Sequence, residues 1–337
     1  FTGPKVIKLE QNYRSTQTIL NAANAVISNN IGRKSKSLWT DNGEGEKVNY
    51  TLYENGYDEA EGVASGIAEY VRDGWNYNDV AILYRTNAQS RALEEKLMIH
   101  NIPYKIYGGQ NFYQRKEIKD ILAYLKTIDN GLDGQAVKRI INVPKRGIGN
   151  TTIDRLQEYA DFNDITFWEA LVNAKDIDTI KNAALSKLEP FVDLIGRLRA
   201  KEEFMSLKEL AEAVIEDTRY IESLSQNETV EEVEARRENL DEFINKVVSY
   251  EESCKEAGEE PTLSGLLEEV ALIADIDNLD ESEPHVMLMT LHSAKGLEFP
   301  IVYMTGMEDG LFPSYMTIVS DDSTEIEEER RLCYVGI

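Results

Sequence analysis

Within TLHSAKGLEFP (290–300), Thr290, His292, Ser293, Lys295 and Glu298 set hydroxyls, an imidazole, an ammonium and a carboxylate around one glycine. Apolar runs of strand length lie on either side, VMLMTL (286–291) and PIVYMTG (300–306). A short glycine-bearing turn at the carboxyl end of a strand is where an open α/β sheet binds ligands. Thr290, His292 and Ser293 have the chemistry to meet phosphates, and Glu298 can accept a ribose hydroxyl. A tight connection with a capping glutamate is the plainer reading. Packing alone, however, gives no reason for so many polar groups at the edge of a buried strand.

Three further stretches carry candidate groups. In LEQNYRST (9–16), Tyr13 and Arg14 precede a helical pattern and offer an aromatic face beside a guanidinium. The same pair also reads as packing plus a surface charge. In EEERRLCYVGI (327–337), Arg330 and Arg331 stand at the start of an amphipathic helix. There they oppose the helix dipole at roughly 0.3–1 kcal/mol unless a partner compensates. The preceding glutamates can be that partner, and so can an incoming polyphosphate. In NVPKRGIGNTT (142–152), Gly147-Ile148-Gly149 forms a tight turn between two helical patterns, with Lys145 and Arg146 beside it. Backbone N–H groups in such a turn can face a phosphate, although a plain helix-to-helix turn has the same composition. Arg85 and Asn87, in YRTNAQSR (84–91), read equally as phosphate contacts or as a polar strand-to-helix turn.

The net charge of −25, from 36 basic and 61 acidic residues, taken whole argues against nucleic acid. Its distribution is uneven. Residues 101–150 hold 9 basic and 4 acidic side chains, whereas 251–283 hold 1 basic and 12 acidic ones. No run is long and apolar enough to cross a bilayer. Cys254 and Cys333 have no metal-binding spacing, and the expectation is a reducing, cytoplasmic protein without disulfides or membrane association. No resident metal site is expected.

The elements that must position these groups follow from periodicity. Ser15 reads as an N-cap, with Ile19, Leu20, Ala23, Val26 and Ile27 at helical spacing. VNYTLY (48–53), VAILYR (80–85) and YKIYG (104–108) read as strands, separated by helical patterns at 58–72 and 90–101. That order predicts an α/β fold with a parallel sheet covered by helices. From 114 to 281 helical periods follow one another with almost no strand alternation, and the strand-like runs then return. The expected organisation is therefore one α/β domain, 1–113 and 282–337, interrupted by an all-helical domain, 114–281.

Taken together, QNYRS, TLHSAKGLEFP and EEERRLCYVGI resemble motifs IV, V and VI of superfamily 1 DNA helicases of the UvrD/PcrA/Rep type. LYRTNAQSRALEE (83–95), GGQNFYQRKEIKDILAYL (108–125) and GMEDGLFPS (306–314) are similar to that family too, so the resemblance covers essentially the whole chain. It implies a RecA-like 2A domain carrying a helical 2B insertion. ATP with Mg²⁺ would bind between 2A and a 1A domain of the same polypeptide. By the resemblance, Tyr13 stacks on adenine, Arg14 reaches the γ-phosphate and Glu298 binds the ribose, with Arg331, ahead of Arg330, as the second arginine on the γ-phosphate. Thr290 and His292, with Ser293, Arg85 and Asn87, would meet single-stranded DNA. Lys145, Arg146, Gly147, Ile148 and Gly149 would touch duplex DNA at single-strand/duplex junctions. The resemblance further implies unwinding with 3′-to-5′ polarity in the bacterial cytoplasm, and repair proteins as partners.

The family's motif VI continues as Thr-Arg-Ala, which this sequence does not reach. No G-x-x-x-x-G-K-[ST] phosphate loop occurs, and no Gly-Lys pair at all. This portion alone is therefore expected not to hydrolyse ATP. Two other readings stand beside the helicase. One is a recombination-type helicase-nuclease subunit, and the other a non-enzymatic DNA-binding module. GMEDGLFPS and the Gly-Ile-Gly turn favour the simpler helicase.

Overall fold

The structure, a computed structural model, describes residues 7–31, 36–226, 228–276 and 284–337, with the side chains of 274–276 excepted. The chain divides into two compact units, Phe1–Gly109 with Leu279–Ile337, and Gln110–Asn278.

The first unit is built on four parallel strands: β1 (Val80–Tyr84), β2 (Tyr104–Ile106), β3 (Val286–Thr290) and β4 (Ile301–Met304). Their order is β2-β3-β1-β4. The last two strands follow the helical unit in sequence yet flank β1 on both sides, pairing Tyr84 with Thr290 and Ile82 with Tyr303. One sheet is thus interrupted by the helical segment. Every residue of β1 is buried, as a central parallel strand requires. Its alternate side chains serve two cores. Val80, Ile82 and Tyr84 pack with Ala60, Val63 and Ile67 of the helix Gly56–Arg72 and with Leu93 and Leu97 of Ser90–Ile99. Ala81 and Leu83 pack with Met289, Leu291 and Phe312, and with Leu332 and Cys333 of the terminal helix Ser323–Gly336.

Two local expectations need correction. Residues 48–53 form no strand. Their alternation defines a face, but no neighbouring strand among the described residues supplies a ladder, and Val48, Tyr50 and Leu52 are exposed. The N-cap of the helix Gln17–Ile27 is Thr16, not Ser15, and its side chain makes no capping bond. Backbone carbonyls do that work instead, since Gln17 N–H donates to Gly43 O and Thr18 N–H to Glu44 O.

The second unit is helical throughout its described residues, from Lys116–Asp129 to Leu263–Ile276. It begins at 110 rather than 114 because Phe112 and Tyr113 belong to its core. The expected second boundary, 281/282, lies outside the described residues. Two carboxylates of QRKEIKDILAYL, part of the basic island, are buried: Glu117 is 2% exposed and Asp120 is 1% exposed. Glu117 accepts from Arg236 Nη1 and from Asn239 Nδ2, while Asn239 Oδ1 accepts from Arg115 Nη1 at 2.8 Å. Asp120 accepts from Arg139 Nε (2.7 Å), Lys116 Nζ (2.9 Å) and the Tyr220 hydroxyl (2.7 Å). Burial and the Asp120 charge push the Tyr220 phenol well above its ordinary range. These charges therefore stitch helices together rather than coat a surface.

Candidate functional site

Tyr13, Arg14 and Glu298 meet in one open groove, lined also by Gln11, Asn12, Phe299 and Pro300. The turn that presents the first two is set by Asn12, whose Oδ1 accepts from Arg14 N–H (2.9 Å) and Ser15 N–H (2.8 Å). Asn42 Nδ2 binds the carbonyls of Tyr13 and Ser15 from the other side. The Tyr13 ring is 79% exposed, an unusual state for an aromatic side chain held in so ordered a turn. Its hydroxyl donates to Gln11 Oε1 at 2.9 Å. Arg14 Nε donates to Glu298 Oε2 at 2.7 Å, although 284 positions separate them in sequence. Both side chains are more than half exposed, so the pair adds little stability and can open to a ligand. The groove offers an aromatic face, a cation and a carboxylate acceptor.

Arg330 and Arg331 do not line this groove. Arg331 pairs with Glu328 (2.8 Å) and Glu327 (3.1 Å), and Arg330 Nη1 donates to Asn30 Oδ1 at 3.3 Å. Glu327 also accepts from Ile31 N–H through Oε1 (2.7 Å), and its carbonyl accepts from Asn30 Nδ2 (2.8 Å). These bonds fix the first turns of the terminal helix to the residues just beyond Ile27. Arg14 precedes the opposite end of Gln17–Ile27, an eleven-residue helix roughly 16 Å long. The described lining of the groove thus brings neither Arg331 nor Arg330 together with Arg14. Glu327 and Glu328 compensate Arg331, and Arg330 is held by Asn30.

A second cluster forms where β1, β2 and β3 end. Leu291 N–H donates to Tyr84 O (2.8 Å), which brings Arg85 beside the turn after Thr290. The Thr290 hydroxyl bonds Ser293 Oγ at 3.0 Å and closes that turn, leaving His292 exposed. Gly109 leaves room beside Asn87 Oδ1, and Gly108 beside Ser293 Oγ, so all five predicted residues share this carboxyl edge. Partial desolvation and the neighbouring Arg85 charge lower the His292 pKa, with Glu329 and Glu328 opposing. Sequence reasoning missed Gln89, whose Oε1 accepts from both Arg85 N–H and Thr86 N–H at 2.9 Å. The Thr86-x-x-Gln89 capping pattern could have shown it. It also missed Glu329, which pairs with Arg85 from 244 positions away, and for which no local signal exists.

In the helical unit the Gly-Ile-Gly turn is rigidly held. Gly147 has φ +73°, and the side chain of Asn142 binds both Ile148 N–H (3.0 Å) and Ile148 O (2.7 Å). Ile148 is buried and anchors the turn. Arg146, expected to offer charge to a ligand, is instead engaged internally. Its Nη1 donates to Ile140 O (2.8 Å), Ile141 O (3.2 Å) and Pro144 O (3.3 Å), and its Nη2 to the Tyr124 hydroxyl (2.6 Å). Its guanidinium also lies over Phe191, 4.9 Å from the ring centre. Lys145 remains exposed, and Gly149 caps the helix Asn150–Asn163 without a side-chain acceptor. Lys187 Nζ donates to Gly147 O at 2.8 Å, so a helix start and a lysine meet at this turn, an arrangement suited to an anion.

The chain matches the family described as the UvrD-like helicase C-terminal domain over residues 7–337. It is 49% identical over 331 residues to the ATP-dependent DNA helicase PcrA of Staphylococcus aureus, a match covering 98% of this chain and 45% of that protein. Against the protein of the same name from Staphylococcus epidermidis, identity is 47% over 333 residues, covering 99% and 45% respectively. The chain thus spans a little under half the length of the relatives it matches.

Proposed function

The chain belongs to the UvrD-like helicase C-terminal domain family, and from that premise we propose that it is the C-terminal part of an ATP-dependent DNA helicase. The observation that carries this is the groove in which Tyr13, Arg14 and Glu298 converge from opposite ends of the sequence. Adenine stacks on the exposed Tyr13 ring, and Glu298 accepts a ribose hydroxyl. That exchange frees Arg14 to meet the γ-phosphate, where a guanidinium stabilises charge in phosphoryl transfer. Glu298 is the only carboxylate lining the groove among the described residues, which fit the nucleotide but give Mg²⁺ no acidic pair. The metal ligands and phosphate loop would come from a 1A domain of the same polypeptide.

The sheet unit corresponds on this reading to 2A, and Gln110–Asn278 to the 2B insertion. Single-stranded DNA lies along the carboxyl edge, with Arg85 as the charged contact and Asn87, Thr290, His292 and Ser293 as hydrogen-bonding groups. Lys145 and the start of Asn150–Asn163 meet duplex phosphates, which makes single-strand/duplex junctions the substrate. Nucleotide binding and hydrolysis close and open the cleft, and alternating grip moves the protein along one strand in the 3′-to-5′ sense. The setting is the bacterial cytoplasm, with DNA repair proteins as further partners.

The test is anisotropy of a labelled duplex with a single-stranded tail, titrated with the complete polypeptide across salt concentrations. Lys145→Glu is expected to weaken binding and to lower the salt slope by about 0.9, with the melting temperature unchanged. Arg146→Ala is expected to lower the melting temperature, because it removes four hydrogen bonds and a ring contact. Unchanged binding by Lys145→Glu would remove the duplex role from this turn.

A further inference from the structure

On the reading proposed above, we infer that Glu329 is the positioning residue that aims Arg85 at a phosphate of the single strand. Arg85 follows the last residue of β1, and its backbone N–H is fixed by Gln89. Its guanidinium is gripped along one side. Nε donates to both Glu329 oxygens (3.1 and 3.2 Å), and Nη2 to Oε1 (2.8 Å). Nη1 has no hydrogen-bond partner among the described residues. The side chains are 25% and 9% exposed, so this is a half-buried clamp rather than a surface pair.

A carboxylate that takes one edge of a guanidinium leaves the opposite edge as a planar donor of fixed orientation. Arginine otherwise loses considerable rotamer freedom when it orders on a ligand. Here that ordering is complete before the ligand arrives, which favours binding. Arg85 lies at the strand ends with Thr290 and His292, since Tyr84 pairs with Thr290 and the Arg85 charge acts on His292. Glu329 sits on the terminal helix two residues after Glu327, which is tied to Ile31. The clamp is therefore held from the helix side as well as from the strand side. Glu325 and Glu328 on the same helix do not contact Arg85, so the effect belongs to one carboxylate and not to general acidity.

The experiment measures single-strand affinity and its salt dependence for the complete polypeptide carrying Arg85→Ala, Arg85→Lys, Glu329→Gln or Glu329→Asp, with a melting curve for each. Arg85→Ala is expected to weaken binding about tenfold and to lower the salt slope by about 0.7, one phosphate contact on a single strand. Glu329→Gln is expected to weaken binding about three- to tenfold with a similar loss of slope, because the cation remains but is no longer aimed. Glu329→Asp, which keeps the charge, should recover part of the affinity. Arg85→Lys keeps the charge but not the two-point grip, and should bind as poorly as Arg85→Ala. Tighter or unchanged binding by folded Glu329→Gln would overturn the inference, showing that the carboxylate only competes with phosphate. Should Glu329→Gln fail to fold, full affinity in Arg85→Lys would overturn it equally. No effect of Arg85→Ala would instead remove single-strand binding from this edge, and the inference with it.

Discussion

Arg14→Ala in the complete polypeptide should lower the maximal rate of ATP turnover by about 10³-fold, with a much smaller change in KM for ATP. The guanidinium acts on charge that develops during phosphoryl transfer, so its loss falls on kcat. The ion pair that Arg14 forms with Glu298 is solvent-exposed, so the variant should melt like the parent. Arg331→Ala separates this account from the expectation based on motif order. Its guanidinium serves Glu327 and Glu328 at the far end of the helix Gln17–Ile27, so turnover should fall far less than with Arg14→Ala. Steady-state kinetics on both variants decides the matter. Equal losses would mean that the two arginines share a phosphate after all.

Asp120→Ala should destabilise the helical unit by about 3 kcal/mol. Two of its three partners, Lys116 and Arg139, are partly exposed and can regain water. Tyr220 cannot, being fully buried with its hydroxyl aimed at Asp120, and it would keep an unsatisfied donor. For a unit of this size the melting temperature should fall by roughly 6–12 °C. Asp120→Asn retains one acceptor and should lose less. Chemical or thermal unfolding gives the number, and a loss below about 1 kcal/mol would show that the network is not a stabilising one.

The parallel sheet and its helical interruption were legible because the carriers are strongly patterned. VAILY and VMLMT are continuous apolar runs, and the segment between the strand groups keeps a helical period. The cluster at the strand ends was legible for the same reason, since a predicted strand end places whatever follows it. VNYTLY misled because alternation reports a face and not a neighbour. Arg146 misled because charge beside a glycine turn looks like a ligand contact in sequence, whereas the carbonyls it satisfies become visible only in the fold. The Arg14–Glu298 and Arg85–Glu329 pairs span 284 and 244 positions, distances at which no periodicity connects residues. Arg331 was named by resemblance to motif VI, and which end of a helix faces the groove is visible only in the fold.

The most direct test of the central claim, that this chain supplies part of a nucleotide site, is photocrosslinking of an adenine-azido ATP analogue to the complete polypeptide, with the adduct mapped by mass spectrometry. ATP-displaceable labelling is expected within Gln11–Arg14, centred on Tyr13 and abolished by Tyr13→Ala. Displaceable labelling that leaves this stretch unmodified would contradict it.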